Sequence, residues 1–131
     1  MDTATRDLVR RRADNRCEYC LLRQQHSSLM HHIEHIVAKQ HGGRDDADNL
    51  ALACHRCNLR KGPNLTGVDP VSGELVPLFH PRRDRWAEHF LFRGVRIEGI
   101  TPAGRATVHV LAMNDARRLE LRAEVLAHGE L

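Results

Sequence analysis

Four cysteines fall in two identical knuckles, Cys17-x-x-Cys20 and Cys54-x-x-Cys57, separated by 33 residues and with no cysteine left over. A C-x-x-C pair turns two thiolates toward one point, and two such pairs complete the closed tetrahedral set of a structural zinc. Two disulfides are the rival arrangement, but a bridge within C-x-x-C closes a tiny loop with little entropic gain, and disulfide frameworks belong to secreted domains. A redox-active pair needs a thioredoxin-like strand and helix around it, which neither knuckle has. One structural Zn²⁺ on Cys17, Cys20, Cys54 and Cys57 is therefore expected. Composition gives it a purpose: only 4% of the 131 residues are aromatic, so a small core has few large side chains and needs a staple.

The length suits a single domain over 1–131. No apolar run approaches the roughly 18 residues of a membrane span, and no apolar stretch follows a basic N-terminus as in a secretory signal. A cytoplasmic protein without a membrane partner is expected. The formal charge of +3 permits contact with phosphates without demanding it, and 18 of the 20 basic residues are arginine, which grips phosphate bidentately.

Thr3–Ala13 reads as a helix with Thr3 as its N-cap. SLMHHIEHIVA reads as a strand, HGGRDDADN as a loop, LALA as a second strand, and CHRCNLRK as a short helix stopped by Gly62-Pro63. Residues 62–85 hold four of the five prolines and read as a linker or wrapping arm. In the extension over 86–131, Trp86–Phe92 and Val95–Ile100 flank Arg93-Gly94 as a hairpin. Thr101-Pro102 opens a helix to about Met113, with VHVLAM as a strand the alternative, and Asn114 caps a last helix to Ala127. Trp86, Phe90 and Phe92 read as core builders rather than as a base-stacking surface.

Between the knuckles stand Glu34-His35 at the end of the first strand, Asn49 closing the loop, and Asn58 just past the last cysteine. The stretch CEYC…HHIEHIVAKQHGGRDDADNLALACHRCNLRKG resembles the HNH endonucleases, the ββα-metal family whose pattern runs D-H-I-x-P, GG, a mid-loop N-L, then C-x-x-C-[HN]-x-x-K. The likeness covers residues 17–62; LFHPRRDRW, EHF and TPAGRATVHVLAMN further resemble an extension that follows the core in bacterial stand-alone HNH proteins. The resemblance implies an α+β fold, a zinc-stapled ββα-metal core with a preceding helix and a C-terminal hairpin and helical extension.

It also implies chemistry. His35 matches the general base that takes a proton from the attacking water, and imidazole suits that task near neutrality. Glu34 and Asn58 match the ligands of one catalytic Mg²⁺ or Mn²⁺, and Asn49 the amide that holds the base in line. Asn58 in the last position makes an H-N-N variant, with Glu34 in place of the usual Asp and Ala38 in place of the usual Pro. His32, Arg60 and Lys61 are candidate phosphate contacts. The implied activity is metal-dependent hydrolysis of DNA phosphodiesters, with double-stranded DNA as substrate; a zinc module that binds nucleic acid without cutting it is the alternative.

Overall fold

The computed structural model describes residues 1–130. Helix α1 spans Thr3–Arg12, and its N-cap is Asp2, whose carboxylate accepts from the Thr5 N–H at 2.8 Å. Thr3, read as the cap, is the first helical residue instead: Asp2 already satisfies an orphan amide of the first turn. Strands β1 (His32–His35) and β2 (Leu50–Ala53) pair antiparallel, Glu34 opposite Ala51 and His32 opposite Ala53. The strand expected from SLMHHIEHIVA is thus only four residues long. Helix α2 (His55–Lys61) follows at once, capped by Cys54 itself, whose sulfur accepts from the Cys57 N–H.

Alternation along the hairpin gives it two dressed faces. Leu50 and Leu52, with Ile33 beside them, pack on Val9 of α1 and on Ala13, its C-cap. Ala51 and Ala53 turn the other way into the larger core, which holds the four cysteines, Tyr19, Ile36, Phe79 and Phe90. Small side chains on that side of β2 leave space for the zinc knuckles and for Glu34.

The proline-rich arm is more ordered than its composition suggests. Strands β3 (Thr66–Val68) and β4 (Leu75–Pro77) form a hairpin whose turn is organised by buried Asp69, which accepts from the Val71 N–H and the Ser72 hydroxyl and is gripped at 2.9 Å by both Arg105 Nε and Nη2. At Gly67 an added Cβ would lie 2.6 Å from Val110 Cγ2, so glycine lets this hairpin lie against α4 (Pro102–Val110). The one-turn helix α3 (Trp86–His89) leads into the hairpin of β5 (Phe90–Arg93) and β6 (Arg96–Gly99). Thr101 caps α4, so VHVLAM is helix and turn, not strand.

The last helix, α5 (Ala116–Ala127), is capped by Asp115. Asn114, expected in that role, brackets Ile97 instead: its Oδ1 accepts from the Ile97 N–H and its Nδ2 donates to the Ile97 carbonyl. Trp86 packs on Phe90 and Phe92 at 5.1 and 5.5 Å between ring centroids and donates from Nε1 to the Tyr19 carbonyl. Phe90, Ile97, Leu111 and Met113 belong to the same core cluster as the cysteines, so the extension and the knuckles bury one another. No helix among the described residues is long and apolar enough to cross a membrane.

Candidate functional site

The knuckles bring four buried sulfurs to within 4.8 Å of one another, none in a disulfide. Cys20 Sγ and Cys54 Sγ stand 3.7 Å apart, one from each knuckle. Sulfurs about 2.3 Å from a tetrahedral zinc are separated by about 3.8 Å, so the donor set fits that ion in kind, number and spacing. Backbone N–H groups of Cys20 and Cys57 point at Cys17 Sγ and Cys54 Sγ at 3.4 Å. Burial pushes the Cys17 and Cys57 thiols well up, whereas hydrogen bonds from the other three sulfurs hold Cys20 well down. Four such close sulfurs ionise as a set, and a bound zinc settles all four as thiolates.

A side chain with no signal in the cysteine spacing completes this centre. Arg118 of α5, 5% exposed, donates from Nη2 to Cys57 Sγ at 2.9 Å and from Nη1 to the Leu111 carbonyl at 2.8 Å. Burial pulls the guanidinium pKa down, but the charges of Cys57, Cys20 and Cys54 more than offset it and raise it above its ordinary value. One cation from the extension thus faces the surplus negative charge of a four-thiolate centre.

Glu34, which the sequence pattern sets at a catalytic ion, is turned inward. Its Oε1 accepts from the Tyr19 hydroxyl at 2.6 Å and its Oε2 lies 2.8 Å from Lys61 Nζ, with Glu34 5% and Lys61 2% exposed. Lys61 also donates to the Ile36 carbonyl at 2.8 Å. Its ammonium is spent inside the chain, so the phosphate contact expected of Lys61 is not available to it here. Burial raises the Glu34 pKa while Lys61 and Tyr19 pull it back, and burial together with the Glu34 charge lifts the Tyr19 phenol well above its ordinary value. Asn58 is half-buried in the middle of α2. Oε1 is taken by the Tyr19 hydroxyl, whereas buried Oε2 faces the Lys61 ammonium without a formed hydrogen bond, so a divalent ion on Glu34 and Asn58 would have to displace Lys61.

His35, the next residue, follows the strand alternation to the opposite face. Its Nε2 meets Asp45 Oδ1 at 2.7 Å, and Lys39 Nζ lies 3.4 Å from the same oxygen. The His35 bond, with Lys39 adding to it, holds Asp45 below the usual carboxylate range. Asn49 fastens the loop that carries Asp45: its Oδ1 accepts from the Val37 N–H, and its Nδ2 donates to the carbonyls of Val37 and Arg44. The glycine pair is equally specific to this loop. Gly42 has φ +86°, and a Cβ on Gly43 would sit 1.7 Å from the Val37 carbonyl oxygen.

His32 shares the α2 face with Glu34 and meets His55, while Arg60 is exposed on α2. Tyr19, Asp45 and Arg118 were not singled out by sequence. Asp45 lies in a loop read only for its turn character, and the contacts of Tyr19 and Arg118 span 15 and 61 residues.

Residues 17–64 match the HNH endonuclease family. The matched segment contains both knuckles, the hairpin and α2. Over 114 residues the chain is 28% identical to the Septu protein PtuB of Bacillus thuringiensis, an alignment covering 82% of this chain. The chain spans only 40% of the length of that relative. No solved structure matches it.

Proposed function

We propose that the protein is an HNH-type endonuclease that hydrolyses DNA phosphodiesters with His35 as general base. The observation that carries this reading is the His35–Asp45 pair at 2.7 Å, on a loop fastened by three bonds from Asn49. Asp45 accepts the Nε2–H and so leaves Nδ1 unprotonated, the nitrogen to take a proton from a water attacking phosphorus. After that transfer the carboxylate faces an imidazolium and stabilises it, while Asn49 preserves the geometry of the pair. Double-stranded DNA is the proposed substrate, and exposed Arg60 a contact to its backbone.

A catalytic Mg²⁺ or Mn²⁺ would polarise the scissile phosphate. For Glu34 and Asn58 to hold such an ion, the Lys61 ammonium has to leave the carboxylate. That sealed carboxylate favours a second reading, a zinc module that binds nucleic acid without cutting it. Supercoiled plasmid incubated with the zinc-loaded protein and Mg²⁺ or Mn²⁺ separates the two. Cleavage that falls about 10²- to 10⁴-fold in His35→Ala, with zinc content and DNA binding retained, supports the nuclease. Retarded but intact plasmid supports the binding module, and cleavage at an unchanged rate in His35→Ala removes His35 as the base.

A further inference from the structure

We propose that His32 and His55 form a second divalent-metal site, separate from the four cysteines, that takes a nitrogen-preferring ion such as Ni²⁺, Co²⁺ or Zn²⁺. His32 Nε2 and His55 Nδ1 stand 3.2 Å apart, with ring centroids at 5.4 Å and the planes tilted by 35°. Two imidazole nitrogens on one ion, each about 2.0–2.1 Å from it, are about 3.0–3.4 Å apart. A small swing of the exposed His32 ring brings both lone pairs onto an ion between them. No other side-chain hydrogen bond engages either ring among the described residues.

The two rings come from separate elements that are fixed to each other. His32 lies two residues before Glu34 on β1, and Glu34 is ion-paired with Lys61 of α2. His55 immediately follows Cys54, a ligand of the zinc centre and the cap of α2. The site is thus organised before any ion arrives, which lowers the ordering cost of binding. Imidazole donors select borderline metals over Mg²⁺. His55, though not His32, also lines a cleft with Arg56, Arg60 and Arg117, whose positive charges favour an ion that carries an anion over a bare dication.

The test is calorimetric titration with Ni²⁺ of the untagged protein carrying a single equivalent of zinc, as checked by metal analysis, and without nucleic acid. The wild type is expected to keep one zinc and to take one equivalent of Ni²⁺. His32→Ala should lose the Ni²⁺ equivalent while keeping its zinc and its circular dichroism, and His41→Ala, at another exposed histidine, should keep both. Should His55→Ala disturb the adjacent knuckle, His32→Ala alone decides. Absence of a second equivalent in the wild type, or unchanged Ni²⁺ binding in His32→Ala, overturns the proposal. Either result is independent of whether plasmid is cleaved.

Discussion

Replacing Arg118 by leucine tests whether the extension contributes to the metal centre or merely rests on it. The guanidinium is 5% exposed and bridges Cys57 Sγ at 2.9 Å and the Leu111 carbonyl at 2.8 Å. Leucine fills much of the volume but donates nothing. A hydrogen bond to a charged group contributes about 1.5–3 kcal/mol, and a buried carbonyl left without a partner costs about 1–3 kcal/mol. The zinc-loaded protein should therefore lose about 3–5 kcal/mol, the range found when one partner of a buried charge pair is removed. Against a total of about 5–15 kcal/mol this is a large share, and Tm should fall by roughly 10 °C or more. Part of the loss is specific to the metal, so a chelator should also strip zinc from Arg118→Leu more readily, by about tenfold or more. Arg117→Leu, one residue earlier and exposed, is the control and should shift neither quantity measurably. If Arg118→Leu melts and releases zinc like the wild type, the guanidinium does not support the centre.

Glu34→Gln keeps the shape and the Tyr19 bond but leaves the buried Lys61 ammonium without its counter-charge, so urea unfolding should show a loss of about 3–5 kcal/mol; wild-type stability would refute the ion pair. Asn49→Ala removes the three side-chain bonds by which Asn49 fastens the loop, and amide exchange at Val37 should accelerate sharply while that at Leu52 does not. Asp69 is held well below the usual carboxylate value chiefly by Arg105, so its contribution is fully present above the unfolded value near pH 4 and is lost as the pH falls below it. Asp69→Asn should therefore be less stable than the wild type at neutral pH, with the two converging at lower pH; a constant difference down to pH 2 would contradict that assignment.

What the sequence made legible is what local chemistry encodes. The knuckle spacing gave the sulfur cluster, LALA gave β2 to the residue, and Thr101-Pro102 gave the start of α4. Two caps slipped by one residue each because neighbouring residues can cap equally well: Asp2 competes with Thr3, and Asp115 with Asn114. Proline content misled over 62–85, since Pro70 and Pro77 sit at the turn and at the edge of a two-stranded hairpin, where a missing N–H costs little. The partners of Glu34 were out of reach for another reason. Tyr19 and Lys61 come from opposite sides of the hairpin in sequence, and nothing in the pattern E-H marks the glutamate as buried.

That burial bears on how the HNH pattern operates in this chain. In an extended strand, consecutive side chains leave on opposite faces, and β1 obeys this through His35. Glu34 therefore joins Tyr19 and Lys61 under α2, whereas His35 joins Asp45 on the face shared with Ile33. The adjacent letters do different work here: one neutralises a buried lysine and ties α2 to the hairpin, the other presents an imidazole to solvent. Their substitutions should part accordingly, with Glu34→Gln acting first on stability and His35→Ala on cleavage. Because α2 also carries Cys57 and, at its first residue, His55, the Glu34–Lys61 pair fixes the helix on which both metal-binding groups depend. In this arrangement Glu34 holds the frame while His35 stands on the other face of β1, and a nuclease that uses Glu34 for an ion must first part it from Lys61.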